Sequence, residues 1–331
     1  MRRTAPRRLI AATLKPAKAA IYIALGSTAC AVLLPAAATA EVVTGGSGSF
    51  SVCDPLGTSS LLSSSPVASG AVAGRGPPVR EPDLGQAHDD LPASAKGQAD
   101  AGFSTTVPVY VHVVTDGRIG ALTDSDISAQ LRVLNRTFAG AEGGATTGFS
   151  FQLAGVTRTD NADWFYAGPG GVDENSMKTA LRQGGPNALN LYSTTAGPYL
   201  GWAYLPEIVN QPGHTHLDGI VVDWESMSRT SKTYAGQFDE GETATHEVGH
   251  WLDLEHTFYR GCSAGGDYVA DTPPEKTPTS GCPAGKDTCS APGLDPIHNY
   301  MDYSFDSCYT EFTPGQVQRM RDAWLHYRAA G

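Results

Sequence analysis

The sequence predicts an α+β domain in which a twisted, mixed five-stranded sheet is backed by helices. Short runs rich in β-branched and aromatic residues recur along the chain, and between them lie segments with the apolar spacing of amphipathic helices. The order is a strand, then a helix, then several strands and a further helix. This order favours a mixed sheet with helices packed on it.

Five segments are predicted to be strands. Residues 107–114, VPVYVHVV, are rich in β-branched side chains and end at the turn-forming pair Asp116-Gly117. The remaining four segments are residues 149–156, 189–193, 201–206 and 218–224. Together they supply the five strands of the predicted sheet.

Helical spacing is clearest at residues 125–140, where Ser125 is the expected N-cap. The apolar side chains on one face of this helix are Ile127, Leu131, Leu134 and Phe138. A shorter helix is predicted around residues 173–183. The last helix begins at a Thr313 cap with Pro314 in its first turn, and its apolar face predicts packing against the domain.

The N-terminal part of the chain predicts segments outside the folded domain. Residues 1–40 have a basic start, an apolar run and small residues at the end, as in a cleaved secretory signal peptide. Residues 41–104 lack any sustained period and are predicted to be a pro-segment or linker, largely disordered. Residues 105–331 are predicted to form one domain.

The composition argues against nucleic acid as a partner. The formal net charge is −11, and the six basic residues of segment 1–40 would leave −17 once that segment is removed. The apolar run in this segment is shorter than the roughly 20 residues that span a bilayer, so no stable membrane anchor is expected. The sequence therefore predicts a secreted, extracellular protein and leaves its oligomeric state open.

Four of the six cysteines cluster near the C-terminus, at Cys262, Cys282, Cys289 and Cys308. In an exported protein such a cluster predicts two disulfide bonds, for which three pairings are possible. A zinc ribbon is the competing interpretation. No pair of these cysteines has the two-residue spacing of a zinc knuckle, which favours the disulfides.

The stretch ATHEVGHWLDLEHTF, residues 244–258, has the chemistry of a metal site. On a helix His246 and His250 lie one turn apart on the same face, so both imidazoles can reach one ion. Glu247 beside them can hold and activate a metal-bound water, as in zinc hydrolases. His256 can complete the site only if the helix ends soon after His250 and the chain turns back.

The alternative interpretation of this stretch is an amphipathic helix whose histidines are only polar surface. The apolar residues around the motif argue against it, because they predict a buried helix in which unpaired polar groups would be costly. These residues are Val248, Trp251, Leu252 and Leu254. The motif therefore predicts one zinc ion bound by three histidines.

Several further motifs occur in an order that is specific to one family. They are TATHEVGHWLDLEHTF, GGDYVADTP, CPAGKDTC and PIHNYMDYSFDSCYTEFTPGQVQRM, with weaker matches upstream at LNLYS, LGWAYLP and LDGIVVD. In these stretches the chain resembles the pappalysin family of metzincin zinc metalloproteases, well over residues 189–324 and loosely over 105–188. The resemblance implies a metzincin-type catalytic domain. Backing and active-site helices would lie above a cleft, in an upper half at about 105–252. A loop-rich, disulfide-stapled lower half at about 253–331, with a C-terminal helix, would lie below it.

The resemblance also implies roles for individual residues in a secreted endopeptidase that acts on protein or peptide substrates. The three histidines would bind the zinc, and Glu247 would be the general acid/base. Met301 would form the Met-turn, an apolar floor beneath the metal, and the Tyr303 hydroxyl would stabilise the tetrahedral intermediate. The stretch GWAYLP would be the edge strand to which an extended substrate adds by main-chain hydrogen bonds.

Disulfides and calcium are further features that the resemblance implies. The implied disulfides are Cys262–Cys289 and Cys282–Cys308, which would staple the loops of the lower half. The candidate oxygen donors for a structural calcium ion are Asp267, Asp271 and Thr272. The alternative role for each of these three residues is ordinary turn formation.

Two expectations concern specificity and latency. The resemblance implies a preference for basic side chains after the cleaved bond, for which Asp306 could supply the countercharge. Cys53, the leftover cysteine of the pro-segment, is a candidate latency switch whose thiolate would fill the metal's open position in the zymogen. An unpaired cysteine without this role is the alternative.

Two other functions compete with this one: a protease of another metzincin branch, and a catalytically silent module that keeps zinc as a structural ion. Glu247 argues against the silent module, because a purely structural zinc site has no use for that carboxylate.

Asp253 stands three residues after the second histidine, where this motif usually has glycine. Glycine there lets the backbone take positive φ, so that the third histidine comes round to the metal. Aspartate also visits the left-handed region, at a cost of about 1 kcal/mol. The sequence therefore predicts the same turn. The alternative is that the Asp253 carboxylate orients a ligand histidine.

Overall fold

The structure is a computed structural model that describes residues 80–82, 84, 91–100, 102–227, 231–263 and 265–329. All of them belong to one compact unit, Ser69–Gly331. The predicted signal peptide and Cys53 lie outside the described residues. Within these residues, every helix is too short or too polar to cross a bilayer.

Five strands form one mixed sheet in the order β2-β1-β3-β5-β4. The strands are β1 (Thr105–Thr115), β2 (Phe149–Asp160), β3 (Leu189–Thr194), β4 (Gly201–Ala203) and β5 (Ile220–Asp223). β2, β1, β3 and β5 run parallel, and β4 pairs antiparallel with β5 at the edge of the sheet. The predicted mixed five-stranded sheet is confirmed. β4 is shorter than predicted because Pro206 opens a short helix soon after it.

Helices surround this sheet. They are α1 (Asp124–Phe138), α2 (Ala162–Phe165), α3 (Val172–Leu181), α4 (Pro206–Val209), α5 (Glu242–Trp251) and α6 (Pro314–Ala323). α6 continues as a π-helical turn at Trp324–Arg328, and short 3₁₀ turns lie at Thr215–Leu217 and Asp306–Cys308. α5 carries the His/Glu motif, so it is the helix that places the candidate site.

The first helix starts slightly earlier than predicted because Thr123, and not Ser125, caps it. The Asp126 amide donates to the Thr123 hydroxyl at 3.2 Å, and the Thr123 amide donates to the Asp126 carboxylate at 2.7 Å. This reciprocal pair satisfies two amides that the helix itself leaves unpaired. The Thr313 cap predicted for α6 is confirmed, with Gln316 in the reciprocal position.

Apolar side chains cover both faces of the sheet. On one face Val111 of β1 belongs to a cluster with Ile127 of α1 and Trp251 of α5. On the other face Tyr192 of β3 clusters with Met177 of α3. Because both faces are covered, β3 and β5 are buried along their whole length. The sheet is therefore a fixed base for α5 and for the edge strand β4.

After α5 the chain has little regular structure until α6, and two disulfide bonds tie it together. They are Cys262–Cys289 and Cys282–Cys308, each with its Cα atoms 5.5 Å apart. These are the pairings that the family resemblance implies. Since the two bonds interleave along the chain, they hold neighbouring loops to each other where no sheet ladder does.

Part of the predicted pro-segment packs on the domain. Leu91 is buried against Ala323 of α6. The amides of Gly97 and Ala99 donate to the Asp322 carboxylate at 2.6 and 2.9 Å. The expectation of a largely disordered segment does not hold for these described residues. Their amides are ordered by hydrogen bonds to an acceptor in α6, a helix far along the chain.

The helix α5 ends in a turn centred on Asp253. The Asp253 amide donates to the His250 carbonyl at 2.9 Å, and the Leu254 amide donates to the Gly249 carbonyl at 2.9 Å. This pair of bonds is the Schellman pattern, in which the residue after the helix is left-handed. Asp253 has φ 78°, so the conformation predicted for it is confirmed.

Arg319 of α6 holds the turn residue in place. Its Nε donates to the Asp253 carbonyl at 2.7 Å, and its guanidinium lies 2.8 Å from Asp253 Oδ2. Both side chains are buried. The Asp253 carboxylate therefore links the end of α5 to α6, a role that the sequence analysis did not predict.

We expect Asp253→Val to lose zinc, because a β-branched side chain resists positive φ and His256 would no longer reach the other ligands. Asp253→Gly should keep zinc, since glycine adopts this turn without strain. Its free energy of unfolding should fall by about 2–4 kcal/mol, because Arg319 is left buried without its carboxylate.

Asp253→Asn is the matched control, since it tolerates the same turn and removes only the charge. Zinc per chain by atomic absorption and thermal unfolding measure the two effects separately. Wild-type zinc content and activity in Asp253→Val would show that this position does not need positive φ.

Candidate active site

Three histidine side chains converge at the end of α5. His246 and His250 lie one turn apart on the helix, with their Nε2 atoms 3.2 Å apart. The Asp253 turn brings His256 back toward them, and its Nε2 lies 3.1 Å from His250 Nε2. The structure thus brings together the three metal ligands predicted from the sequence.

The spacing and the protonation of these rings fit a zinc ion. Ligands arranged tetrahedrally at 2.0–2.1 Å from zinc lie about 3.3 Å from one another, close to the nitrogen spacing seen here. His246 Nδ1 donates to the Tyr300 carbonyl at 2.5 Å, and His250 Nδ1 donates to the Leu254 carbonyl at 2.7 Å. Because a carbonyl only accepts, each Nδ1 carries the proton and each Nε2 keeps its lone pair for the metal.

Glu247 lies between the histidines and the edge strand β4. Its side chain is buried, and Oε2 has no hydrogen-bond partner among the described residues. A Cβ on Gly201 of β4 would come within 2.7 Å of Glu247 Oε1, so this close approach requires a glycine. Burial, and then the negative charge of Glu81, raise the pKa of Glu247 well above its usual value.

The segment 300–303 closes the floor of the site. Met301 is fully buried, and a Cβ on Gly249 of α5 would clash with its Sδ. The Tyr303 ring centre lies 5.0 Å from that of His256 and 5.8 Å from that of His246. Burial raises the pKa of Tyr303 well above its usual value, so its hydroxyl keeps the proton. Both residues therefore lie beside the histidine cluster, where the sequence analysis expects them.

Asp306 is buried near Arg80. Its Oδ2 accepts a hydrogen bond from the Glu240 amide at 2.9 Å. Burial raises the pKa of Asp306 to about 6, and the positive charge of Arg80 opposes that rise. The Arg80 guanidinium itself lies 4.0 Å from the ring centre of Phe238 and donates to the Tyr303 carbonyl at 2.8 Å. The surroundings of Asp306 therefore suit a cationic side chain.

Glu81 is a site residue that the sequence analysis missed. Its Oε1 lies 2.5 Å from His246 Nε2 and 3.2 Å from His256 Nε2, and its Oε2 lies 3.2 Å from His250 Nε2. The ligand atoms of these four residues all lie within 4.8 Å of one another. No spacing in the sequence relates Glu81 to the histidines, and nothing distinguishes it from the neighbouring acidic residues Asp83, Asp89 and Asp90.

The candidate calcium donors have different surroundings. Both carboxylate oxygens of Asp271 accept hydrogen bonds at the start of α6, from the Thr313 hydroxyl at 2.7 Å and the Gly315 amide at 2.8 Å. Asp267 is buried next to Thr272, and burial raises its pKa to about 7. Asp271 therefore caps a helix, while Asp267 is a buried acid without a full countercharge.

Known proteins resemble this chain in sequence. The family model described as pregnancy-associated plasma protein-A matches residues 226–324. An extracellular metalloprotease of Arthroderma benhamiae is 42% identical over 254 residues, which cover 75% of this chain and 81% of that protein.

Two solved structures resemble the fold described above. Mirolysin in complex with a small compound has a TM-score of 0.59 and 30% sequence identity, covering 67% of this chain and 92% of mirolysin. A Tannerella forsythia promirolysin mutant has a TM-score of 0.58 and 29% identity, covering 67% of this chain and 81% of that one. With its histidine cluster, its mixed sheet and these relatives, the chain belongs to the pregnancy-associated plasma protein-A, or pappalysin, family of metalloproteases.

Proposed function

We propose that this protein is a secreted zinc endopeptidase in which Glu247 moves the proton during peptide hydrolysis. One observation carries the proposal: three histidine Nε2 atoms converge beside a buried carboxylate that faces the edge of a sheet. The pairing of a metal cluster, a proton acceptor and a strand edge is what hydrolysis of an extended peptide requires. The extracellular name of the relative and the predicted signal peptide support secretion.

Zinc is the cofactor that fits the three histidines. When bound, it would lower the pKa of a water molecule and stabilise negative charge on the substrate's oxygen. His246 and His250 would hold it from α5, and His256 from beyond the Asp253 turn. Hydrogen bonds to backbone carbonyls fix the orientation of the first two rings.

Glu247 is the proposed general base and acid. It would accept a proton from the attacking water and deliver it to the nitrogen of the leaving amine. Tyr303 would donate a hydrogen bond from its hydroxyl to the oxygen on which negative charge develops. Met301 would support the site from below by packing against Gly249, which lies between the two histidines of α5.

The edge strand β4 is the proposed binding place for the substrate's main chain. β4 pairs with β5 on one side and ends the sheet on the other. The Leu200 amide, just before β4, already donates to the carbonyl of Arg80 at 3.1 Å. A peptide segment can therefore lie along this edge and pair with it through its backbone.

Asp306 is proposed to favour basic side chains after the cleaved bond. A guanidinium occupies its surroundings in this structure, over the ring of Phe238 and against carbonyls of the 303–304 segment. A basic substrate side chain would find the same aromatic ring, the same carbonyl acceptors and the same buried carboxylate. Neutral side chains would leave the buried Asp306 carboxylate without a countercharge.

Glu247→Ala and the isosteric Glu247→Gln should bind zinc like the wild type but lose activity by about 10²-fold to 10⁴-fold or more, because the ligands stay and the proton acceptor is gone. Zinc is counted by atomic absorption. Activity is measured on a quenched fluorescent peptide after limited trypsin treatment of the full chain, with the trypsin then inhibited.

Glu242→Gln is the matched control for these variants, since it changes another buried glutamate of the same helix and should remain active. A zinc-replete Glu247→Ala variant with full activity would refute the proposed mechanism.

Asp306→Asn should lower the preference for arginine over leucine after the cleaved bond by about tenfold or more, because the side chain keeps its shape and loses its charge. The ratio of kcat/KM for two peptides that differ only at that residue measures the effect. If the ratio is unchanged, Asp306 does not set this preference.

Calcium is proposed as a structural ion at Asp267, whose buried carboxylate a divalent cation would neutralise. Added calcium should raise the Tm of the zinc-loaded protein by several degrees and leave Asp267→Ala unmoved. A Tm that calcium does not change in the wild type would exclude a calcium ion at this place.

A further inference from the structure

We propose that Glu81 is a fourth metal ligand in the precursor and that Arg80 anchors it, so that this pair closes the catalytic site until the pro-segment is cut. The inference rests on the proposed function, because it concerns the same metal centre. It differs from the Cys53 switch considered from the sequence, since it assigns the ligand to a carboxylate.

The position of Glu81 is the first observation that supports this proposal. Its Oε1 lies 3.2 Å from His256 Nε2 and its Oε2 lies 3.2 Å from His250 Nε2, close to the spacing of ligands around one zinc ion. The 2.5 Å contact of Oε1 with His246 Nε2 is that of a short hydrogen bond, and only 8% of the Glu81 side chain is exposed. The histidines supply three ligands, and a catalytic zinc site keeps one position open for water or substrate. A carboxylate oxygen is an accepted zinc ligand at about 2.0–2.2 Å. Glu81 is therefore the group that fills the open position.

Arg80 supplies the second step. Its carbonyl accepts the Leu200 amide at the edge of the sheet, at 3.1 Å, where a substrate's main chain is proposed to pair. Its guanidinium donates to the carbonyls of Tyr303 and Ser304 and lies over the Phe238 ring. One residue thus contacts both the strand edge and the residues around Asp306, and it fixes Glu81 over the metal ligands.

A second ligand from the pro-segment would compete with Glu81 for the metal. Three histidines and one carboxylate complete a tetrahedral set, so a Cys53 thiolate could bind only by displacing Glu81. Two adjacent residues make few contacts. Arg80 and Glu81 therefore bind well only while the intact chain keeps them at a high effective concentration near the site. A cut between Glu81 and the domain lowers this effective concentration, because Arg80 and Glu81 then belong to a separate peptide that binds weakly.

The first test measures the access of a small ligand to the metal and does not depend on catalysis. Full-length protein in a Glu247→Gln background, which cannot process itself, is loaded with cobalt(II) and titrated with acetohydroxamate, a small chelating ligand for an open metal position. The visible absorption of the cobalt reports binding. We expect Glu81→Ala and Glu81→Gln to bind acetohydroxamate at least tenfold more tightly than the Glu247→Gln parent, and Cys53→Ala to bind it like the parent.

The second test reads latency. In the active background, the Glu81→Ala precursor should hydrolyse a peptide at an initial rate at least tenfold above the wild-type precursor, measured before any cut appears on a gel. Arg80→Ala should show an intermediate rate, and Cys53→Ala should remain latent.

The outcomes separate the two proposals. Equal binding of acetohydroxamate by the parent and Glu81→Ala would overturn the Glu81 assignment and leave the proposed function standing. If Cys53→Ala alone bound acetohydroxamate more tightly than the parent, the Glu81 assignment would likewise be overturned. If none of the variants binds cobalt, the proposed metal centre itself is wrong, and the inference that rests on it falls too.

Discussion

The turn at Asp253 is the constraint on which the rest of the site depends. α5 can place two histidines over one point, but it would carry the third away if it continued for another turn. The left-handed residue reverses the chain directly after the helix, and His256 returns to within 3.1 Å of His250. An aspartate can adopt this conformation, and its carboxylate also pairs with Arg319 from α6. The same residue therefore shapes the metal site and joins it to the last helix, so metal binding and the packing of α6 depend on each other.

The lower half supports this turn although it has little regular structure. The Tyr300 carbonyl holds His246, and the Thr257 amide donates to the Met301 carbonyl at 3.2 Å. Backbone groups of the Met301 segment thus contact both the helix and the returning chain. Such contacts need loops of fixed shape, and the two interleaved disulfides supply that shape without a sheet. The precision of the metal site comes from cross-links and backbone hydrogen bonds as much as from α5.

A feature can be predicted from the sequence when the residues that determine it lie close together in the chain. The His/Glu motif, the five strands and the Asp253 turn follow from residues close together in the chain, and the structure has them. The cap of α1 is local too, but Thr123 and Ser125 are both good caps, and only the carboxylate of Asp126 decides between them. Glu81 could not be predicted, because its contacts with the histidines span about half the chain and no periodicity or spacing records them. The packing of Leu91 on α6 escaped prediction for the same reason.

Charge explains why an arginine and a glutamate suit this cleft together. Burial and the charge of Glu81 raise the pKa of Glu247, and a divalent zinc ion held by three neutral imidazoles would favour the ionised form of both carboxylates. Asp306 is a third buried carboxylate, and the positive charge of Arg80 opposes the rise that burial causes in its pKa. Because the Arg80-Glu81 pair has no net charge, it can leave without changing the charge of the site. An incoming substrate with a basic side chain would restore the countercharge of Asp306, while water would take the metal position that Glu81 gave up. The Arg80-Glu81 pair therefore blocks the site with a cationic side chain beside Asp306 and an oxygen ligand for the metal. A basic substrate side chain and a water molecule would supply the same two groups.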